Sequence, residues 1–260
     1  MKTISIIGGG NMGSAIIERV RQQFKVIVCE PDEKRRNVLR RKYKIAAADL
    51  PTAVKRSDVV IIAVKPQDID SVLECMKPLS GQRLIISIAA GITISYMEKQ
   101  LGGGVRVVRT MPNMPAQIGE GITAIAGGKF AKPADIKLAQ KIFHCLGKTV
   151  IVTEDVMDAI TAASGSGPAY VFLFTECFMK AAQAIGLTAA QSRDLVYQTL
   201  IGSAHLLTKS KDDAALLRAK VTSKGGTTQA AMDVFAAYNI EKMFSDALAA
   251  AKQKAGELKK

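Results

Sequence analysis

The chain has 260 residues, 48% of them apolar and 23% charged, which is enough for a core of one or two domains and excludes a disordered chain or a small disulfide-stapled scaffold. Its longest apolar runs, such as 59–64, fall far short of the roughly 20 residues of a membrane span, so no membrane partner is expected. The formal charge of +13 is uneven: 24 basic residues stand against 12 acidic ones up to Thr153, and 12 against 11 after it.

Short β-branched runs alternate with amphipathic stretches from Lys2 to Thr153, the pattern of a mostly parallel sheet flanked by helices. Strands are predicted at Thr3–Ile7, Val26–Cys29, Val59–Val64, Leu84–Ile88, Val105–Thr110, Ile122–Ala126 and Val150–Val152. Several are apolar throughout, as strands buried on both faces must be. Helices are predicted at Met12–Gln22, Asp32–Tyr43, Ile69–Met76, Ile94–Leu101 and Pro133–Cys145, with Pro133 suited to a first helical position. Beyond Glu154 the chain turns to Ala, Leu, Met and Gln, with apolar residues three and four apart. The expectation is therefore an α/β fold: a Rossmann-type dinucleotide-binding domain at 1–153, then an all-helical domain at 154–260. Within the latter, Pro168–Ile185 is apolar nearly all round. A helix of that kind needs deep burial, and a segment of this size offers little, so it is expected in a subunit interface. The lysine-rich tail after Ala251 is expected to fray.

Gly8-Gly9-Gly10-Asn11-Met12-Gly13 fits G-x-G-x-x-G, follows the first strand and opens a helix, which is the context that gives this motif meaning. Gly8 permits the turn, Gly10 lets the backbone approach a pyrophosphate, and Gly13 allows close helix–strand packing, while the helix start offers free N–H groups. Gly8, Gly10, Asn11, Met12 and Gly13 are thus candidate cofactor-binding residues. Glu30 ends the second strand, where an acid typically takes the ribose hydroxyls of NAD and repels a 2′-phosphate. Against it, Lys34, Arg35 and Arg36 open the next helix and can neutralise that phosphate if the loop 31–33 folds Glu30 away. The reading leans towards NADH, with NADPH accepted.

Seven of the eleven residues from Lys34 to Lys44 are basic. No aromatic interleaving or nucleic-acid motif accompanies them, so most of the run reads as a solvated helix face without a nucleic-acid partner. The start of the chain lacks the apolar core of a secretory signal. Cys29, Cys75, Cys145 and Cys177 form no C-x-x-C pair, and neither His144 nor His205 has metal-site spacing. Reduced thiols in a cytoplasmic protein without a metal are expected.

Four further segments make the chain resemble pyrroline-5-carboxylate reductases, which reduce a cyclic imine to proline in the last step of proline synthesis. They are Ala63-Val64-Lys65-Pro66-Gln67, Arg109-Thr110-Met111-Pro112-Asn113-Met114-Pro115, Ser164-Gly165-Ser166-Gly167-Pro168-Ala169-Tyr170 and Val221-Thr222-Ser223-Lys224-Gly225-Gly226-Thr227-Thr228. The resemblance runs through nearly the whole length. It implies NADPH or NADH as cofactor, a helical domain that interlocks a homodimer, and often a ring of dimers. Val64 to Gln67, Ala89 to Gly91 and Met111 to Asn113 stand at the carboxyl ends of parallel strands and are expected around the cofactor; by the same resemblance Lys65 and Pro66 lie along its ribose and pyrophosphate side, with Ala89, Ala90 and Asn113 nearer the nicotinamide. Gly225, Gly226, Thr227 and Thr228 precede a late helix whose exposed N–H groups suit a substrate carboxylate. The resemblance assigns Thr228 to the ring nitrogen of the imine as the catalytic residue. Capping of that helix by Thr227 or Thr228 is the alternative, and the two roles can coexist. Lys224 stands where many relatives have proline, and Met114 where threonine is common.

Rival readings are a β-hydroxyacid dehydrogenase, a dinucleotide sensor without turnover and a nucleic-acid binder. Those dehydrogenases carry a lysine four residues after a glycine-rich helix start, where this chain has Val171 after Gly167. A sensor has no need of a second, substrate-sized anion pocket.

Overall fold

The computed structural model describes residues 1–81 and 83–260. They form two compact units, one comprising 1–168 with 249–260 and the other 169–248. In the first, eight strands make one sheet: β1 (Thr3–Ile7), β2 (Lys25–Cys29), β3 (Ala46–Ala47), β4 (Val59–Ile62), β5 (Leu84–Ser87), β6 (Arg106–Met111), β7 (Gly121–Gly127) and β8 (Gly147–Ile151). Their order is β3-β2-β1-β4-β5-β6-β7-β8. All neighbours run parallel except β6 and β7. The chain leaves β1 towards β2 and β3, then returns on the other side to β4. The strand order therefore reverses between β1 and β4, the place where open α/β sheets bind ligands beyond the strands' carboxyl ends.

Apolar residues on both faces of the central strands have a direct cause. Ile4, Ile6, Val59 and Ile61 pack with α1 (Asn11–Val20), α2 (Glu33–Tyr43) and α6 (Pro133–His144) through Ile16, Ile17, Leu39 and Phe143. Ile7, Val60 and Ile62 pack on the opposite face with α3 (Leu50–Lys55), α4 (Ile69–Met76) and α5 (Ile94–Leu101). Each fully buried isoleucine contributes about 1.5–3 kcal/mol relative to exposure. The turns are fixed by local chemistry: the Asp32 carboxylate accepts from Arg35 N–H to cap α2, and Asp49 accepts from Thr52 N–H to cap α3.

Two elements, β3 and α3, have no counterpart among the predicted ones. The β4 strand stops at Ile62, because Lys65 is already the extended residue that starts a short 3-10 turn over Pro66–Asp68. After β8 the chain is helical: α7 (Met157–Ile160), a π-turn at Thr161–Gly165, α8 (Gly167–Ala184), α9 (Ala189–Lys209), α10 (Ala214–Val221), α11 (Thr227–Ala237) and α12 (Ile240–Glu257). In α8 only Ala182 is buried, while Phe172 and Leu173 are 57% and 61% exposed. The apolar helix thus leaves its greasy face uncovered within one chain. Among the described residues no helix is long and apolar enough to cross a membrane.

The tail does not fray, which corrects the expectation from its lysines. Helix α12 runs to Glu257, and the next residues are held in the first unit. Lys260 N–H donates to Gly91 O at 2.9 Å, and Lys260 O accepts from Thr93 N–H and Oγ1 at 3.2 and 2.7 Å. Lys259 pairs with Asp158 and Lys260 with Asp70. Sequence composition alone registers the charge of these lysines but not the carboxylates that meet them.

Candidate active site

The glycine turn sits at the reversal point, between β1 and α1. Gly8 has φ +102°, and a Cβ there would stand 2.6 Å from Ala63 O. A Cβ on Gly13 would collide with Gly8 O, so these two glycines are required by the protein's own packing. Gly10 differs. Its backbone is extended at φ −66°, ψ −167°, and an added Cβ would meet no atom within 4 Å. Nothing in the protein requires glycine at that position. Gly10 is also the N-cap of α1 without any side-chain bond, and the first turn contains no acid. The N–H groups of Asn11, Met12 and Gly13 are thus offered outward with the positive end of the helix dipole. An uncapped, acid-free turn of this kind fits the pyrophosphate of a dinucleotide.

Beside it lies a cavity of about 780 Å³, whose walls include Gly8, Glu30, Val64, Arg36, Arg40 and Asp68. Of the sequence-derived cofactor residues it brings together Gly8, Glu30 and Val64. Lys34 and Arg35 are not on its walls; Arg36 and Arg40 are. Arg40 escaped the sequence reading because it lies inside the basic run, two turns into α2, and only its four-residue spacing from Arg36 marks a shared face. Glu30 is 5% exposed. Its Oε2 accepts from Gly9 N–H at 2.8 Å, its Oε1 accepts from Asp32 N–H at 3.0 Å, and Arg35 stands 3.7 Å away. Cys29 lines the same cavity. Burial, with the carboxylates of Asp49 and Glu30, pushes its thiol up to about 11, so at neutral pH it is a protonated thiol and no nucleophile.

The ends of the next strands continue the row. Ile88 N–H donates to Ile62 O and Ala63 N–H to Ile7 O, which sets the carboxyl ends of β1, β4 and β5 side by side. Lys65 and Pro66 are exposed on the connection after β4, and Ala89 and Ala90 follow β5, with Ala89 N–H on Ser87 Oγ. Asn113 follows β6 and is partly engaged: its Oδ1 accepts from Ile122 N–H at 2.9 Å, and its Nδ2 is 3.4 Å from Ser164 Oγ. Behind this row Arg109, 1% exposed, pairs with Glu154 at 2.9 Å, and Glu154 also accepts from Ile94 N–H.

The second candidate cradle belongs to the other unit. Gly225 has φ +72°, and Gly226 N–H donates to Ser223 O at 3.0 Å, closing a tight turn ahead of α11. Gly226, not a threonine, is the N-cap of α11, and no side chain caps that end. The capping alternative for Thr227 and Thr228 therefore fails on position, because they are the first two residues of the helix itself. Thr228 is half-buried, and its first turn contains no acid. Free N–H groups plus a half-buried hydroxyl suit a small carboxylate next to a hydrogen-bonding atom.

Comparison with known proteins agrees with both halves. Residues 154–258 match the family model for pyrroline-5-carboxylate reductase dimerisation, and residues 3–91 match that for NADP oxidoreductase, coenzyme F420-dependent. The chain is 37% identical over 263 residues to a pyrroline-5-carboxylate reductase of Synechocystis, covering 99% of this chain and 98% of that protein. It superposes on the solved pyrroline-5-carboxylate reductase of Coxiella burnetii with a TM-score of 0.93 at 34% identity, covering 100% and 99% of the two chains. The Plasmodium falciparum pyrroline carboxylate reductase, solved with NADP bound, matches with a TM-score of 0.91 at 29% identity, covering 100% and 98%.

Proposed function

The chain belongs to the pyrroline-5-carboxylate reductase family, and from that premise we propose that it reduces 1-pyrroline-5-carboxylate to L-proline with NADPH or NADH, the last step of proline synthesis. The observation that carries this reading furthest is the uncapped, acid-free start of α11 with the Thr228 hydroxyl beside it. Such a site takes a carboxylate and a ring nitrogen together, which a dinucleotide sensor does not need.

The reduced nicotinamide, when bound, supplies hydride to the imine carbon. The protein's own residues bind and orient. Gly8, Gly10, Asn11, Met12 and Gly13 receive the pyrophosphate, Val64, Lys65 and Pro66 flank the ribose side, and Ala89, Ala90 and Asn113 border the nicotinamide end. Lys34 and Arg35, off the cavity wall, act on the cofactor through charge alone. The N–H groups of Thr227 and Thr228, just past the turn made by Gly225 and closed by Gly226, hold the substrate carboxylate. The Thr228 hydroxyl orients the ring nitrogen and assists its protonation. A protonated imine is already electrophilic, so placing donor and acceptor carbons is the main catalytic task, and no histidine acid is needed.

The dinucleotide-binding domain spans 1–153 and the substrate and dimerisation domain 154–260. The exposed face of α8 is the subunit contact of a cytoplasmic homodimer able to close into a ring of dimers, with small molecules and no nucleic acid as its other partners. Monomers in light scattering at micromolar concentration would contradict the dimer. The activity is tested by following NADPH and NADH oxidation in the presence of 1-pyrroline-5-carboxylate. Consumption matched one to one by proline supports it, and oxidation without proline overturns it.

A further inference from the structure

The loop between β5 and α5, residues 88–93, carries Ala89 and Ala90 and contains no helix or strand of its own. Its backbone is therefore held from outside. On the β5 side Ile88 N–H donates to Ile62 O, and Ala89 N–H donates to Ser87 Oγ at 3.1 Å. Where α5 begins, Ile94 N–H donates at 2.8 Å to Glu154 Oε1, which Arg109 holds in turn. The middle of the loop is gripped by residues 258–260, and Lys260 lies 167 positions from Thr93 in the sequence.

That grip is made first by the main chain. Lys260 N–H donates to Gly91 O at 2.9 Å and Lys260 O accepts from Thr93 N–H at 3.2 Å, the bonding of one rung in parallel pairing. Thr93 Oγ1 adds a third bond to the same carbonyl at 2.7 Å. Gly91 has φ +75°, and a Cβ there would stand 2.5 Å from Leu258 O, so the turn and the segment 258–260 touch directly and glycine alone admits the approach. Side chains brace the same segment on three helices. Lys260 Nζ lies 2.7 Å from Asp70 Oδ2 on α4, Asp70 Oδ1 accepts from the Tyr96 hydroxyl of α5 at 2.5 Å, and Lys259 Nζ lies 2.6 Å from Asp158 on α7. Exposed ion pairs such as Lys260–Asp70 add little by themselves. The backbone bonds and the contact at Gly91 set where the loop stands.

Resting on the reading of Ala89 and Ala90 as the border of the nicotinamide, we infer that residues 258–260 are a strap that positions this loop for hydride transfer, with Lys260 as the positioning residue. An irregular loop released from such a partner opens locally. A hydride donor displaced by about 1 Å loses up to roughly 100-fold in rate, so a loop at the nicotinamide end has to be held rather than merely present.

The test compares each dinucleotide with the same molecule lacking its nicotinamide, NADPH with 2′-phospho-ADP-ribose and NADH with ADP-ribose, by calorimetry. Deleting residues 258–260 is expected to weaken the dinucleotides about fivefold and to leave the two nicotinamide-free ligands within about twofold. The kcat for 1-pyrroline-5-carboxylate is expected to fall about tenfold, with KM for that substrate within about twofold. A strap that only stabilised the fold would lower the melting temperature and the active fraction, and would leave every dissociation constant of the folded protein unchanged. Lys260→Pro takes the N–H from Gly91 O and the ammonium from Asp70 in a chain of unchanged length. It is expected to weaken the dinucleotides selectively by about threefold, and it decides by itself if the shortened chain does not fold. Equal weakening of the nicotinamide-free ligands, or no weakening of the dinucleotides, overturns the inference. Failure of the wild-type protein to bind any of the four ligands overturns the reading of the cofactor site as well.

Discussion

Gly10→Ala is expected to fold as well as the wild type yet bind NADPH about 30-fold or more weakly, a loss of roughly 2 kcal/mol. The backbone at Gly10 is one that alanine adopts freely, and no protein atom lies within 4 Å of the added Cβ. The entropy gained by restricting the unfolded chain, about 0.4–1 kcal/mol, roughly offsets the small loss of glycine at an N-cap. Only a ligand approaching the backbone feels the methyl. Gly13→Ala supplies the contrast, since its Cβ collides with the carbonyl of Gly8. That variant should lose about 1–3 kcal/mol of stability from overpacking and bind poorly as a consequence. Thermal melts beside NADPH titrations separate the two. If Gly10→Ala bound NADPH normally, the pyrophosphate would not lie against this turn.

Thr228→Ala is expected to lower kcat/KM by roughly 5- to 150-fold, equal to about 1–3 kcal/mol of transition-state stabilisation, with NADPH affinity unchanged. Because Gly226 caps α11 and no side chain bonds its first N–H groups, removal of the hydroxyl takes no capping bond from the fold. Stability should then stay within about 0.5 kcal/mol. Thr228→Ser, which keeps the oxygen, should recover most of the rate. Steady-state kinetics on the two variants makes the measurement, and an undiminished kcat/KM in Thr228→Ala removes the residue from the mechanism.

How much of this was legible in the sequence depended on the length of each physical signal. Val59–Ile62 reads as a strand because burial on both faces makes every residue apolar, and the glycine turn reads from its place between strand and helix. β3 is two alanines at the sheet edge, and α3 is six residues with proline in its first turn; neither is long enough to show a period. The apolar girth of α8 was visible, together with its need for a partner, since one chain leaves Phe172 and Leu173 exposed. At Glu30 the sequence shows an acid at the end of the second strand but not its partners, the N–H groups of Gly9 and Asp32, which only the folded turn brings within reach. The same holds for α11: the sequence offered Thr227 or Thr228 as the cap, and the backbone chose Gly226.

In the proposed reaction the glycine turn and the α11 start serve one hydride transfer to a cyclic imino acid. Turnover of 1-pyrroline-5-carboxylate with NADPH deuterated at the transferring position of the nicotinamide, the product being read by NMR and mass, tests this. One deuterium per proline is expected, on the ring carbon that borders nitrogen and does not carry the carboxylate. Proline without the label, or labelled at the carboxylate-bearing carbon, would contradict it.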